Sequence, residues 1–171
     1  MENYLQDQSA ASAKPQRPTL LTVLCILTFI GSGWGILNGI TSYFSANVTS
    51  DIAQTAMQEA RDKIENEADS GSKIADKILS GTSEMLQPEN LKKSALFGTI
   101  ASVFTLLGGI LMFGLKKTGF YSYVLGTILG IAGPFIAFGG ANFLTILSSS
   151  AIAFVGVLFV ILYGLNVKHL R

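Results

Sequence analysis

The chain has 171 residues, of which 49% are hydrophobic and only 13% are charged, and its mean hydropathy is +0.47. This composition disfavours an ordinary water-soluble domain, because such domains carry roughly a quarter charged residues. The net charge of +1, with no long basic run, argues against nucleic acid as a partner, since phosphate binding depends on clustered lysine and arginine.

Three long stretches, residues 18–50, 94–115 and 118–167, contain no charged side chain. A membrane-spanning helix needs roughly 20 apolar residues, and the last stretch is long enough for two, with Pro134 and residues 139–142 as the break. We therefore predict an all-α polytopic membrane protein, a four-transmembrane-helix bundle with spans at 20–44, 94–115, 119–138 and 148–167. The alternative for the first span is a cleaved signal peptide, but the polar residues 1–19 precede it and it exceeds the usual apolar length of such peptides.

Lysine and arginine near the ends of the spans predict the orientation. The predicted inner side carries six cations: Lys14, Arg17, Lys116, Lys117, Lys168 and Arg171. The outer side has only Lys92 and Lys93 near a span end. We therefore expect a multi-pass plasma membrane protein with the polar, disordered tail 1–19 and the short tail 168–171 both cytoplasmic. Tyr121, Tyr123 and Tyr163 are expected in an aromatic belt at the inner edge.

Residues 45–93 form the predicted extracytoplasmic insert and hold all but two of the acidic residues. Apolar residues recur every four positions in its first half, which indicates one face of a helix, and a second helical piece follows the break at residues 70–72. This candidate partner-binding face comprises Ile52, Ala56, Ala60, Ile64, Ile74 and Ile78. The alternative is that the insert folds into a hairpin on itself or over the outer ends of the bundle.

Small residues form regular faces on three spans, a pattern typical of glycine-zipper packing between membrane helices. The predicted helix-packing positions are Gly31, Gly35, Gly39, Ser94, Gly98, Ser102, Gly109, Gly126 and Gly130. Packing within one chain and self-association through the first span are both open. In either case we expect Gly35→Ile or Gly98→Ile to disrupt assembly, and the same change at Leu27 to be tolerated.

The spans contain no ionisable side chain of the kind that marks proton or ion pathways. Asn38 is their strongest polar residue, and an interhelical hydrogen bond is its commoner use. The single histidine, His169, has no carboxylate near it in sequence, and no catalytic, cofactor or metal-binding motif is present. We therefore predict no catalytic residue, no metal site and no cofactor, and expect the protein not to be an enzyme.

Residues 14–24, KPQRPTLLTVL, join a polar tail directly to a leucine-rich first span. This segment resembles small uncharacterised four-span inner-membrane proteins of bacteria, of a Bacteroidetes-like type, and the resemblance implies a bacterial inner membrane. The leading hypothesis is an accessory or scaffold subunit whose partner is another membrane protein or a second copy of the chain. The alternatives are a small oligomeric transporter or channel for a neutral or hydrophobic solute, and a sensor of envelope conditions.

Overall fold

The computed structural model describes residues 17–65, 72–140 and 143–171, with side chains for 17–63, 78–140 and 145–171. In these ranges the chain forms five α-helices, one 3₁₀ turn and no strand. The elements in chain order are α1 Thr19–Glu65, α2 Ser72–Met85, α3 Pro88–Phe113, α4 Lys117–Ala137, α5 Phe143–Asn166 and the 3₁₀ turn Val167–His169. Most of the predicted tail 1–19, and part of the predicted break at 70–72, lie outside the described residues.

Four of these helices, α1, α3, α4 and α5, are long and apolar enough to cross a membrane. The mean hydropathy of their most apolar windows is 2.1, 2.1, 1.5 and 2.4, respectively. The predicted all-α fold with four membrane spans is therefore confirmed, and the chain is a multi-pass membrane protein.

Helix α1 extends far beyond the predicted end of the first span at residue 44. It contains 47 residues, which corresponds to a length of about 70 Å. The chain has no glycine or proline between Gly39 and Gly71, so nothing in the sequence interrupts the helix where it leaves the membrane. The first half of the predicted insert is thus a direct continuation of the first span.

Two other spans also begin earlier than predicted. Helix α3 starts at Pro88, six residues before the predicted residue 94, because proline suits the first helical position, where its missing N–H costs nothing. Lys93 lies inside this helix and pairs with Glu89, with 2.8 Å between Nζ and Oε1. Helix α5 starts at Phe143, so residues 143–147 extend the fourth span.

The turn after α4 follows the proline and glycine signals in the sequence. The backbone N–H of Phe138 donates to the carbonyl of Pro134 at 3.0 Å, which completes the last turn of the helix. Gly139 then has a φ of 69°, the left-handed conformation that glycine adopts without steric cost. Pro134 therefore stands in the final turn of α4, where the helix ends.

The spans pack in the order α1, α3, α4, α5, and α3 makes long interfaces with both α1 and α4. Helices α1 and α5 make little contact with each other, while α2 touches α1, α3 and α5 at the outer ends of the spans. The buried apolar core lies at the opposite end and consists of Leu21, Leu24, Cys25, Met112, Tyr123, Tyr163 and Leu170. We call this end the inner end, and the end next to α2 the outer end, after the orientation that the sequence predicts. Ala46, Ser50, Thr145 and Ser149 are buried near the other end, so the gap between α1 and α5 lies between two packed ends.

Candidate functional site: a crevice between the spans

Two glycines of α1 allow it to pack closely on α3. A Cβ atom added at Gly35 would overlap the hydroxyl of Ser102, and one added at Gly39 would overlap the hydroxyl of Thr99. The structure thus brings Gly35, Gly39 and Ser102 of the predicted packing set together at one interface.

Helices α3 and α4 approach even more closely, backbone against backbone. A Cβ atom added at Gly108 would lie 2.7 Å from the backbone nitrogen of Tyr123, and one at Gly126 would lie 2.8 Å from the carbonyl oxygen of Ala101. Gly119 faces α3 in the same way. Gly126 belongs to the predicted packing set. Gly108 and Gly119 were not predicted as packing positions. The adjacent glycines at 108 and 109 could have indicated that α3 packs closely on two sides.

The remaining predicted packing positions differ in how closely they are approached. A Cβ atom added at Gly109 would lie 3.0 Å from the ring of Phe29 on α1, which is a tight contact. One added at Gly130 would make an ordinary contact with Ile152 at 3.8 Å. Ser94 is half-buried near the start of α3.

Gly31 and Gly98 make no close interhelical contact, which differs from the expectation for these positions. Nothing lies within 4 Å of a Cβ atom added at either residue, and both are exposed. A small residue permits close approach, but it does not determine whether a neighbouring helix packs against it. Both glycines line an open space between the spans.

This space is a crevice of about 600 Å³ enclosed by α1, α3, α4 and α5. It opens sideways between α1 and α5, where its lining residues Leu27, Ile152 and Val155 are exposed. No Asp, Glu, Lys, Arg or His lines it. Most of its lining is small, including Gly31, Ser32, Gly98, Ala101, Ser102, Gly130 and Ala151.

Hydroxyl groups bridge the helices along the crevice. The hydroxyls of Thr28 and Tyr163 lie 2.7 Å apart and join α1 to α5 at its inner end. Further out, the hydroxyls of Ser32 and Thr105 lie 2.8 Å apart and join α1 to α3. The ring of Tyr123 meets that of Tyr163 edge to face, with centroids 4.9 Å apart. The crevice therefore has a polar, closed floor.

The position of these tyrosines corrects the predicted aromatic belt. Tyr121 is 70% exposed, as a belt residue would be, but Tyr123 and Tyr163 are buried inside the bundle. Side chains two residues apart on a helix point in nearly opposite directions, so Tyr121 and Tyr123 cannot share an environment. The distance in sequence from the charged residues does not determine whether a side chain faces lipid or the interior of the bundle.

Asn38 does not line the crevice itself, but it lies on the same face of α1 as the lining residue Gly31, two helical turns further along the helix. Its neighbour Gly39 packs on Thr99, which is seven residues, or about 10 Å, inside Lys92 on α3. Asn38 is exposed, and its carboxamide has no hydrogen-bond partner in the described part of the chain. An unsatisfied amide at this depth is costly, because lipid offers no hydrogen bonds. Asn38 is thus an exposed polar group without a partner, and the buried hydroxyl of Ser149 on α5 also has no hydrogen-bond partner in the described part of the chain.

The predicted outer face is partly exposed. Ile52 and Ala56 are exposed and Ala60 is half-buried, while Ile78 on α2 is 44% exposed. The side chains of Ile64 and Ile74 lie outside the described ones.

The inward side of the α1 extension carries different residues: Ala46, Ser50, Ala53 and Met57. Residues four apart drift by about 40° around a helix with 3.6 residues per turn, so a strict four-residue stripe turns away from any single neighbour. The buried side follows mixed spacings of three and four instead.

Within the residues that the structure describes, no group of three or more His, Cys, Asp or Glu side chains could hold a metal ion. Cys25, the single cysteine, is buried in the inner core. No family model, curated protein or solved structure matches this chain.

Proposed function

We propose that this protein is a non-enzymatic accessory or scaffold subunit that binds a transmembrane helix of a partner protein in the crevice between α1 and α5. The observation that carries the proposal is the exposed carboxamide of Asn38 on the crevice side of α1. A polar side chain on an incoming helix would satisfy this carboxamide, whereas a lipid acyl chain would leave it unpaired.

The shape of the crevice supports a helix as the occupant. Membrane helices associate through small residues that allow close backbone approach, because water does not drive them together. Gly31 and Gly98 offer such surfaces, and the space above their Cα atoms is open. The expected partner therefore presents small residues and one polar side chain at the depth of Asn38.

The α1 extension supports contact outside the membrane as well. Ile52 is 66% exposed and Val48 is 61% exposed, and both follow the apolar membrane segment on the same helix. We propose that the extension guides the partner's extramembrane region while the crevice holds its span. The accompanying proposal for location is the inner membrane of a bacterium with both termini cytoplasmic, supported by the basic residues at the inner ends of the spans.

Site-specific photo-cross-linking in native membranes tests this proposal. A photoreactive residue at Ile152, which lines the crevice, is expected to capture one defined membrane protein. The same residue at Phe154, which is 74% exposed on the other side of α5, is the matched control and is expected not to capture it. Equal capture at both positions, or no capture at Ile152, would contradict the proposal. A cross-link to a second copy of this chain would show that the crevice binds another copy and not a different protein.

The same assay tests the role of Asn38. Asn38→Leu is expected to weaken capture from Ile152 by about 3- to 20-fold, because an interhelical hydrogen bond contributes about 0.6 to 1.7 kcal/mol. Thr41→Leu is the control on the same helix, since the Thr41 hydroxyl already donates to the carbonyl of Leu37 at 2.9 Å. If both variants changed capture equally, Asn38 would have no specific role.

The second candidate is a carrier for a neutral or hydrophobic solute, and the two hydroxyl pairs along the crevice favour it. These hydroxyls, at Thr28 and Tyr163 and at Ser32 and Thr105, could hold one polar group of an otherwise apolar molecule. Solute flux in vesicles that contain only this chain would support the carrier. An absence of flux together with a captured partner protein would support the subunit.

A further inference from the structure

Basic side chains from three separate parts of the chain meet at the inner end of the bundle. They are Arg17 before α1, Lys116 and Lys117 between α3 and α4, and Lys168 and Arg171 after α5. All five are exposed. We call these five residues the basic end. In the described residues, no Asp or Glu side chain belongs to these segments.

Backbone hydrogen bonds and a ring contact hold the basic end together. The N–H of Lys117 donates to the carbonyl of Arg171 at 2.9 Å, and the N–H of Arg171 donates to the carbonyl of Leu115 at 2.7 Å. The guanidinium carbon of Arg17 lies 4.2 Å from the centroid of the Phe113 ring, a cation–π contact that draws the start of α1 to the end of α3. The cations therefore form one patch.

Exposed apolar surface begins directly beside this patch. Leu20, three residues after Arg17, is 47% exposed, and Tyr121, one turn into α4, is 70% exposed. A ligand that fits both surfaces carries negative charge at one end and hydrocarbon at the other. Free phosphate would use the charges alone.

We propose that the basic end binds the headgroup of an anionic phospholipid, with the acyl chains lying along the exposed sides of α1 and α4. Basic groups between membrane helices attract phosphate headgroups at this level of the bilayer. The bound lipid fixes the depth of the inner end in the membrane. This proposal does not depend on the crevice having a partner.

Titration of the purified full chain in neutral detergent with phosphatidylglycerol or phosphatidylcholine tests the proposal, with retained lipid measured by native mass spectrometry. We expect phosphatidylglycerol to be retained preferentially. The triple variant Lys116→Gln, Lys117→Gln, Lys168→Gln is expected to weaken its retention at least about tenfold. Arg17 stays unchanged because its guanidinium packs on the Phe113 ring.

The matched control is Arg61→Gln, Lys63→Gln, Lys92→Gln, which removes three positive charges from the opposite end of the bundle. It is expected to retain phosphatidylglycerol as the unmodified chain does. Equal losses in both triple variants, or equal retention of the two lipids by the unmodified chain, would overturn the proposal. Displacement of the lipid by inorganic phosphate at millimolar concentration would also overturn it and assign the site to a free anion.

Discussion

At the scale of single residues, the polar groups of the spans differ in whether they join two helices. Thr41, Thr99 and Thr127 each donate to the carbonyl four residues earlier on their own helix, so these hydroxyls donate no hydrogen bond to another helix. The pair of Thr28 and Tyr163 links α1 to α5, which otherwise hardly touch. This hydrogen bond therefore holds the crevice closed at its inner end.

Tyr163→Phe removes one hydroxyl and leaves that of Thr28 without its partner on α5. We expect a loss of about 0.6 to 1.7 kcal/mol, the measured range for such bonds in membranes, and a Tm lower by about 2 to 5 °C. Thermal unfolding in detergent measures the change. Tyr121→Phe is the control. Because Tyr121 is exposed, loss of its hydroxyl is expected to leave Tm unchanged. Identical Tm values for both variants would show that the bond is not stabilising.

At the scale of helices, glycine contributes through its position at a crossing point and not through its frequency. Gly108 faces the backbone of α4, with Gly119 opposite it, whereas Gly98 on the same helix faces the open crevice. The two positions on α3 therefore predict opposite responses to the same substitution.

Gly108→Ala is expected to destabilise the bundle by about 1 to 3 kcal/mol, because the added methyl group would force α3 and α4 apart. Gly98→Ala is the matched control and is expected to be tolerated or slightly stabilising, since alanine favours helix and nothing obstructs its Cβ. Thermal unfolding and the elution profile in detergent measure both. Equal destabilisation by both variants would contradict this prediction, because it would mean that an added methyl group lowers the stability of the bundle whether or not it faces α4.

The four spans could be predicted from the sequence, because a stretch of about 20 apolar residues without a charged side chain is typical of a helix surrounded by lipid. The sequence did not allow the end of α1 to be predicted, because a change from apolar to polar residues marks the membrane surface while the helix continues to residue 65. The packing of Gly35 and Gly39 could be anticipated from their spacing. The crevice could not, because the divergence of α1 from α5 depends on the tertiary arrangement that leaves Gly31 and Gly98 uncovered.

At the scale of the whole molecule, the four spans differ in how far the chain itself covers them. In the most apolar window of α4, 33% of the residues are buried, compared with 11% in α5. Helix α5 packs mainly along α4, touches α1 near the inner end and α2 near the outer end, and leaves much of its surface exposed. The crevice therefore lies where α5 makes few contacts with α1.

This arrangement requires that the inner ends of all four spans lie on one side of the membrane and the α1 extension on the other. Single cysteines placed at Lys117, Lys168 and Thr55, in a Cys25→Ser background, allow a test because all three positions are exposed. A maleimide that cannot cross membranes is expected to label Lys117→Cys and Lys168→Cys from the same side and Thr55→Cys only from the opposite side. By the positive-inside rule, the shared side is the cytoplasm. Labelling of Thr55→Cys and Lys117→Cys from one side would mean that α3, the span between them, does not cross the bilayer, and the crevice would then lack one of its walls.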